Sequence, residues 1–472
     1  MWYNYRKMSQ GGEAMDKLKI IPQLDPGFQP MSVVLRWFRK QVAQDEKKEK
    51  MAICVERQGG YRYRYDLDIL GVNDQTLQTN VAIIERLIKS ILWVVGGFKI
   101  YLGGNPLVTE KLKAIFNKDG ERKFDVEFMS RVYREPFEVI ATSIDKVPTE
   151  VKASIKIGGN LDGYRIGFDA GGSDRKVSAV VNGEAIYSEE VVWHPKLQTD
   201  PDYHYQGILD SFKRAASKMP RVDAIGVSSA GIYIDNEVRV ASLFLNVPED
   251  VFNAKARDVY IRAAKEIGDV PLEVANDGDV TALAGAMELK DTNVLGIAMG
   301  TSEAAGYINE EGNLMGWLNE LAFVPVDFNK EAMVDEWSGD YGCGVKYFSQ
   351  DSVIKLAPRA GIAFDETLSP AEKLKVVQAL MKNGDERAKA IYETIGIYLG
   401  YALAYYSEFY QIKHLLLLGR VTSGWGGLII VEKAKEVLAS EFPEFQNMQI
   451  RMPDEKSRRV GQSIAAASLP KA

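Results

Sequence analysis

Residues 166–177, IGFDAGGSDRKV, constrain the fold more than any other stretch: an apolar strand runs into Asp169, turns through Gly171, Gly172 and Ser173, and leaves as a second strand. A turn free of side chains lets backbone N–H groups approach phosphate oxygens, and the carboxylate beside it can hold Mg²⁺ directly or through water. An ordinary glycine hairpin would look the same. Repetition separates the two readings. Residues 294–308, VLGIAMGTSEAAGYI, again end a buried strand, in Gly300, Thr301 and Ser302, and re-enter a strand past Gly306.

Between the hairpins, residues 272–286, LEVANDGDVTALAGA, end a β-rich run at Asn276-Asp277-Gly278-Asp279 and open a helix of small residues. Asp277 stands where the carboxyl end of a strand meets a helix start, the position at which α/β proteins place working residues. Either aspartate suits a helix cap, but a cap needs only one of them, so Asp277 is the candidate catalytic carboxylate. Near the C-terminus, residues 414–439, HLLLLGRVTSGWGGLIIVEKAKEVLA, give a buried strand, a loop and an amphipathic helix. Gly419, Gly424 and Gly426 in that loop allow adenine and ribose to lie close against backbone. The Walker A pattern is absent, which disfavours a P-loop site.

From residue 164 onward, apolar strands expected over 164–168, 177–181, 224–228, 272–275, 294–299 and 414–418 alternate with helices over 205–218, 254–267, 280–287, 388–410 and 429–440. This is the pattern of an α/β fold with helices covering a mainly β centre. The first third reads as a helix from 33 continuing through 50, a hairpin of 51–57 and 61–70, a helix over 79–93, a strand over 98–102 and a helix over 108–116. It is an α/β unit with no recognisable catalytic set. Residues 147–163, rich in glycine after Pro148, read as a linker. The charge balance changes there too, with 24 basic and 20 acidic residues up to position 150 against 34 and 45 after it.

A net charge of −7 over 472 residues offers no general attraction to nucleic acid or anionic membrane. Hydrophobic residues at 46% and charged ones at 26% exclude a disordered chain. Cys54 and Cys343 form no C-x-x-C pair, so no disulfide framework or zinc ribbon is expected. No apolar run approaches the roughly 20 residues of a membrane span, and residues 1–12 are not signal-like, so a cytoplasmic location is expected.

In this order the residues from about 164 to the end, about 310 of 472, resemble the ROK family of sugar kinases and repressors, within the sugar kinase, actin and Hsp70 superfamily. The resemblance implies two ribonuclease H-like (actin-like ATPase) lobes about a cleft, 164–290 and 291–472, the second with an adenosine-binding segment. Residues 1–150 then form an N-terminal α/β accessory domain. Asp169, Gly171, Gly172 and Ser173 match the family's D-x-G-G-T hairpin, with a serine hydroxyl for the threonine, and Gly300, Thr301 and Ser302 match its second phosphate element. Gly419, Gly424 and Gly426 match its adenosine segment, Asp169 the Mg²⁺ carboxylate and Asp277 the general base. For the sugar the resemblance implies Asn276, Asn319, Glu320 and Gly231, the last in VSSAGI at 227–232, where alanine stands for the family's proline.

Two departures stand out. Phe323 replaces the histidine that contacts sugar and zinc in that family, and in DYGCGVKYFS at 340–349 only Gly342-Cys343 remains of the zinc cluster, with Val345 at its glutamate. No structural zinc is expected, and His194, His204 and His414 lack ligand spacing. The implied activity is transfer of the γ-phosphate of ATP, with Mg²⁺, to a hydroxyl of a sugar or sugar-like small molecule. The alternatives are an ATPase, a catalytically lapsed sugar- or nucleotide-binding protein, or a sugar-responsive regulator. Repressors of this kind carry an N-terminal helix-turn-helix, which the first third does not show. Lys47, Lys48 and Lys50 lie among Asp45, Glu46 and Glu49 as a solvated face, so nucleic acid is not an expected partner. A homodimer is expected by resemblance alone.

Overall fold

The computed structural model describes residues 16–152, 157–453 and 455–471. The segment 1–12 and part of the 147–163 linker lie outside them. In the first third the period-two pattern forms β1 (Glu49–Glu56) and β2 (Arg62–Ile69), an antiparallel hairpin whose turn needs positive φ at Gly59 and Gly60. With β3 (Lys99–Gly103) and β4 (Glu138–Thr142) they make a sheet of order β2-β1-β3-β4. β1 is buried on both faces: Met51, Ile53 and Val55 enter the main core, while Ala52 and Cys54 pack against Val147. The helix expected to run from 33 through 50 instead spans Met31–Gln44. Ladder pairing of Glu49 and Lys50 with Ile69 and Asp68 draws the charged run into β1, so tertiary pairing overrides local helix propensity.

Beyond the linker lie β5 (Tyr164–Ala170), β6 (Asp174–Val181), β7 (Glu184–Val192), β8 (Ala224–Ser229), a short hairpin of β9 (Ile232–Ile234) with β10 (Glu237–Val240), and β11 (Leu272–Asn276). Their main sheet has the order β11-β8-β5-β6-β7. The remainder gives β12 (Val294–Met299), β13 (Glu303–Ile308), β14 (His414–Leu418) and β15 (Gln449–Arg451), in the order β13-β12-β14-β15. In each sheet an antiparallel hairpin with a glycine turn is followed by parallel strands on one side. The chain is therefore a mixed α/β protein built on two lobes of like construction.

Helices cover both sheets at Asp202–Ala216, Asp277–Leu289, Glu386–Tyr406 and Trp425–Glu441. The helix expected over 254–267 is broken, with a wide turn over Phe252–Ala256 before a short helix Val259–Lys265. The last helix, Glu455–Ala467, belongs to the first lobe in space. A Cβ on Gly167 of β5 would sit 1.9 Å from the Ser463 carbonyl oxygen, and one on Gly226 of β8 would sit 1.7 Å from that of Ala466.

The first lobe has its own core around Phe168, Phe212, Val227 and Tyr260. The N-terminal unit does not. Val33, Phe38, Ile84, Leu87, Ile91 and Trp93 join Leu295, Tyr307, Tyr347, Tyr398 and Leu415 of the second lobe in one apolar cluster. Helix Asp74–Val95, opened by a capping box of Asn73 and Thr76, is buried along most of its length and carries Glu85, Arg86 and Lys89 into this interior. Glu85 pairs with its neighbour Arg86 at 3.0 Å and Asp125 lies 3.6 Å from Lys89 Nζ, and Asp340 of the second lobe completes the pairing of the cations. It accepts from both Arg86 Nη atoms at 2.9 Å, from Lys89 Nζ, and pairs with Arg122 Nη1 at 2.8 Å. These three cations hold its carboxyl far below the usual range.

Candidate functional site

Register brings the candidate residues together. Ala170 of β5 lies opposite Ser229 of β8, and Ser229 opposite Asn276 of β11, so the 171–173 turn and the 276–279 segment share one sheet edge. Asn276 caps the helix Asp277–Leu289 by accepting from the Gly278 N–H at 2.7 Å, and donates to the Gly231 carbonyl at 2.7 Å. Hairpin β12–β13 packs on the same helix start. A Cβ on Gly306 would lie 2.3 Å from the Asp279 nitrogen, and one on Gly278 would lie 2.3 Å from the Ala305 carbonyl oxygen, so backbone meets backbone here. The two lobes thus meet where Asp277 stands.

Both glycine turns hold unused donors. Trp193 donates from Nε1 to the Gly171 carbonyl at 2.8 Å and from its backbone to the Ser173 carbonyl at 3.1 Å, which pins the turn by its acceptors. Among the described residues, the N–H groups of Gly171, Gly172 and Ser173 find no acceptor, nor do those of Thr301 and Ser302. Lys196 stands over the first turn, 3.0 Å from where a Gly172 Cβ would be. Arg420 Nη2 donates to Thr301 Oγ1 at 2.8 Å, and Gly419 abuts the Met299 carbonyl, so the late glycine loop adjoins the second turn. Gly424 and Gly426 wall a separate pocket of about 360 Å³ with Tyr392, Trp425 and Gln378.

Asp169 accepts from Ser228 Oγ at 3.1 Å and lies 3.9 Å from Lys176 Nζ. Burial pushes its carboxyl up to about 6, with Lys176 opposing and the charge of Asp277 adding to the rise. Among the described residues no group of three or more His, Cys, Asp or Glu side chains is arranged to hold a metal. A single carboxylate beside phosphate oxygens is nevertheless a donor set that suits Mg²⁺.

Four further carboxyls crowd the same interior. Asp277 is half-buried at the helix start, where desolvation raises its pKa and the Gly278 N–H opposes the rise. Asp279 is buried, accepts from Asn319 Nδ2 at 2.8 Å and from the Tyr307 N–H at 3.3 Å, and is pushed up to about 7 by burial. Glu320 is likewise raised to about 7 by burial, with Asp277 and Asp279 adding to the rise. Glu303 is fully enclosed with neither oxygen hydrogen-bonded, and burial lifts it well above the carboxylate range.

The backbone of Asn319 and Glu320 is set by the N-terminal unit, whose helix end presents the Val94 and Trp93 carbonyls to their N–H groups at 3.0 Å each. Asn319, expected to touch the acceptor, is only 3% exposed. Its amide meets Asp279 on one side and Tyr410 Oη at 2.9 Å on the other, as the Asn276 amide meets the Gly278 N–H and the Gly231 carbonyl.

A cavity of about 490 Å³ opens beside Asn276, Asp279 and Gly231. Its remaining walls were not foreseen. The N-terminal unit contributes Arg57, Tyr61 and Tyr133, and the first lobe contributes Glu273. No periodicity or motif marks these residues, because the hairpin turn reaches the cleft only through the shared core. The two family departures are filled by packing: Phe323 stacks on Trp93 with ring centroids 4.2 Å apart and meets Trp337 at 5.2 Å. Cys343 lies 3.8 Å from Lys89 Nζ and is pushed up to about 11 by burial.

No family model matches the chain, and no curated protein matches it by sequence. Solved structures do match. A ROK hexokinase from Thermus thermophilus aligns over 64% of this chain and 97% of its own, at 16% identity and a TM-score of 0.51. A ROK family transcriptional regulator, a homologue of the E. coli MLC protein, aligns over 66% and 79%, at 17% identity and a TM-score of 0.50. The chain therefore has the fold of ROK proteins, a fold that serves an enzyme in one case and a regulator in the other.

Proposed function

We propose that the chain is an ATP-dependent phosphotransferase acting on a hydroxyl of a sugar or sugar-like small molecule, with Asp277 as general base. The observation that carries this reading is the set of unspent backbone donors at 171–173 and 301–302 on the two lobes that meet at Asp277. Such donors suit the oxygens of a triphosphate, and a carboxylate at a helix start beside a cavity suits an incoming alcohol. The neighbouring hexokinase structure supports the fold this chemistry would use.

In this account the β- and γ-phosphates lie between the turns, with Lys196 and Arg420 near them, and the adenosine lies toward Gly424 and Gly426. Asp169 would hold Mg²⁺ at this site, and the ion would supply neutralisation of charge on the transferring group. Asp277 takes the proton of the acceptor hydroxyl as that oxygen bonds to the γ-phosphorus. The bond from the γ-phosphorus to the bridging oxygen breaks, ADP leaves with its electron pair, and Asp277 returns the proton to solvent. Glu320 and Asn276 orient the acceptor, and Asn319 holds Asp279 in place. Transfer to a sugar rather than to water requires the cleft to exclude water.

A scan of sugars and sugar derivatives with purified protein and Mg·ATP tests the reading. ADP release that depends on one acceptor supports it, whereas acceptor-independent release identifies an ATPase. Salt-sensitive binding of DNA without turnover identifies a regulator.

A further inference from the structure

Within the cavity that Asn276, Asp279 and Gly231 line, the wall supplied by the N-terminal unit has a chemistry of its own. Arg57 is 7% exposed, yet every acceptor it meets is a neutral carbonyl: Gly316, and Met315 at 3.2 Å. Burial lowers its pKa, and among the described residues the groups that act on it are Tyr133 and Tyr61, with no carboxylate. Tyr133 lines the same cavity and is 4% exposed. Its hydroxyl, for which Gly96 leaves room, has no hydrogen-bond partner among the described residues, and burial pushes it up to about 12.

A guanidinium held in a buried wall without an anion is costly, and the Tyr133 hydroxyl on the same wall keeps its hydrogen-bonding capacity unspent among the described residues. The fold sets both on the lining of a cavity large enough for a small molecule. The nearby acids do not answer the charge. Asp235 is taken by Gln58 Nε2 at 3.3 Å, and Glu273, across on the first-lobe wall, is lifted to about 7 by burial beside Asp235. Two of the five guanidinium N–H groups are accounted for by the carbonyls, leaving donors for an oxyanion.

Resting on the kinase reading for the position of the reacting hydroxyl, we propose that the acceptor is an anionic polyol, a sugar-like molecule bearing a carboxylate or a phosphate. Its charged group docks on the Arg57 guanidinium and the Tyr133 hydroxyl. The N-terminal unit is then the part of the chain that selects the substrate, and Arg57 and Tyr133 are specificity-determining residues. Neutral hexoses leave the guanidinium unpaired and bind poorly.

The test is calorimetric titration of the full chain, without nucleotide, with D-glucose against D-glucuronate, D-gluconate and glucose 6-phosphate. At least one anionic probe is expected to bind tenfold or more tightly than D-glucose, and comparing the carboxylates with the phosphate ester tells which group the corner takes. Arg57→Gln is expected to remove that preference, weakening the anionic probe at least tenfold and D-glucose less than twofold. Tyr133→Phe keeps the buried ring, so it serves if Arg57→Gln fails to fold, and it is expected to weaken the anion several-fold.

Equal binding of neutral and anionic probes overturns the proposal, as does the absence of binding by every anionic probe, or a loss in the variants that is the same for both classes. Because binding is read without ATP, a lapsed kinase would still show the preference. A working kinase that binds and phosphorylates only neutral sugars would refute the docking corner while leaving the kinase reading intact.

Discussion

At the scale of the residue, the site works by setting carboxyls against one another. As the proposed base, Asp277 is competent only when ionised, yet it shares its surroundings with Asp169, Asp279 and Glu320, which burial lifts to between about 6 and 7. Activity is therefore expected to rise with pH across this window as the carboxyls lose their protons. Stability runs the other way. A carboxyl whose folded-state pKa is raised binds its proton more tightly folded than unfolded, so its contribution is full below about pH 4 and falls as pH climbs toward 7. Glu320→Gln removes one such group. Its melting temperature is expected to match the parent at about pH 4 and to exceed it by about 2 °C or more at pH 8; a shift of equal size at both pH values would show that Glu320 does not titrate there. The place of Asp277 at a strand-to-helix junction between two glycine turns was legible in sequence. The burial of Arg57, Tyr133 and Glu303 was not, since it comes from what surrounds them after folding.

At the scale of the element, helix Asp74–Val95 does more than its amphipathic pattern declared. Sequence periodicity located it and showed that one face is apolar. It could not show that Arg86 and Lys89 are wholly buried, because Asp340, the partner they share, lies some 250 residues away. The helix also fixes Glu320 through its terminal carbonyls and meets Phe323 through Trp93. Where the resemblance would have placed a zinc cluster, this chain ties the 316–349 segment to that helix by ion pairs and stacked rings. Asp340→Asn leaves Arg86, Lys89 and Arg122 with only Glu85 and Asp125 as buried anions and is expected to cost about 3–5 kcal/mol in denaturant unfolding. A loss below about 1 kcal/mol would mean that the cations find water or other partners. The helix expected through residue 50 failed for the converse reason, since pairing with β2 outweighed a run of good helix formers.

At the scale of the whole molecule, the glycine turns announced two lobes but not how the first third joins them. Residues 1–150 resemble a separate unit in sequence because a linker and a change of charge follow them. In space their apolar side chains close the core of the second lobe. Two polar contacts also reach the first lobe: Arg134 pairs with Glu237 at 2.6 Å, and Gln58 meets Asp235. Hydrogen exchange in mild denaturant is expected to show helices Asp74–Val95 and Glu386–Tyr406 losing protection together, as parts of one cooperative unit. Loss at clearly different denaturant concentrations would mark the N-terminal unit as an independent domain. Arg134→Ala, which removes a half-exposed pair, is expected to change stability by less than about 1 kcal/mol and to act on acceptor KM if the bridge helps to close the cleft.

Single-turnover transfer of labelled γ-phosphate from ATP to an accepted polyol, compared between the parent chain and Asp277→Asn with bound nucleotide measured in the same samples, bears most directly on the mechanism. Equal nucleotide binding is expected, with a transfer rate lower by about 10²–10⁴-fold in the variant. Undiminished transfer in Asp277→Asn, or label passing to water at the same rate with and without the polyol, would contradict it.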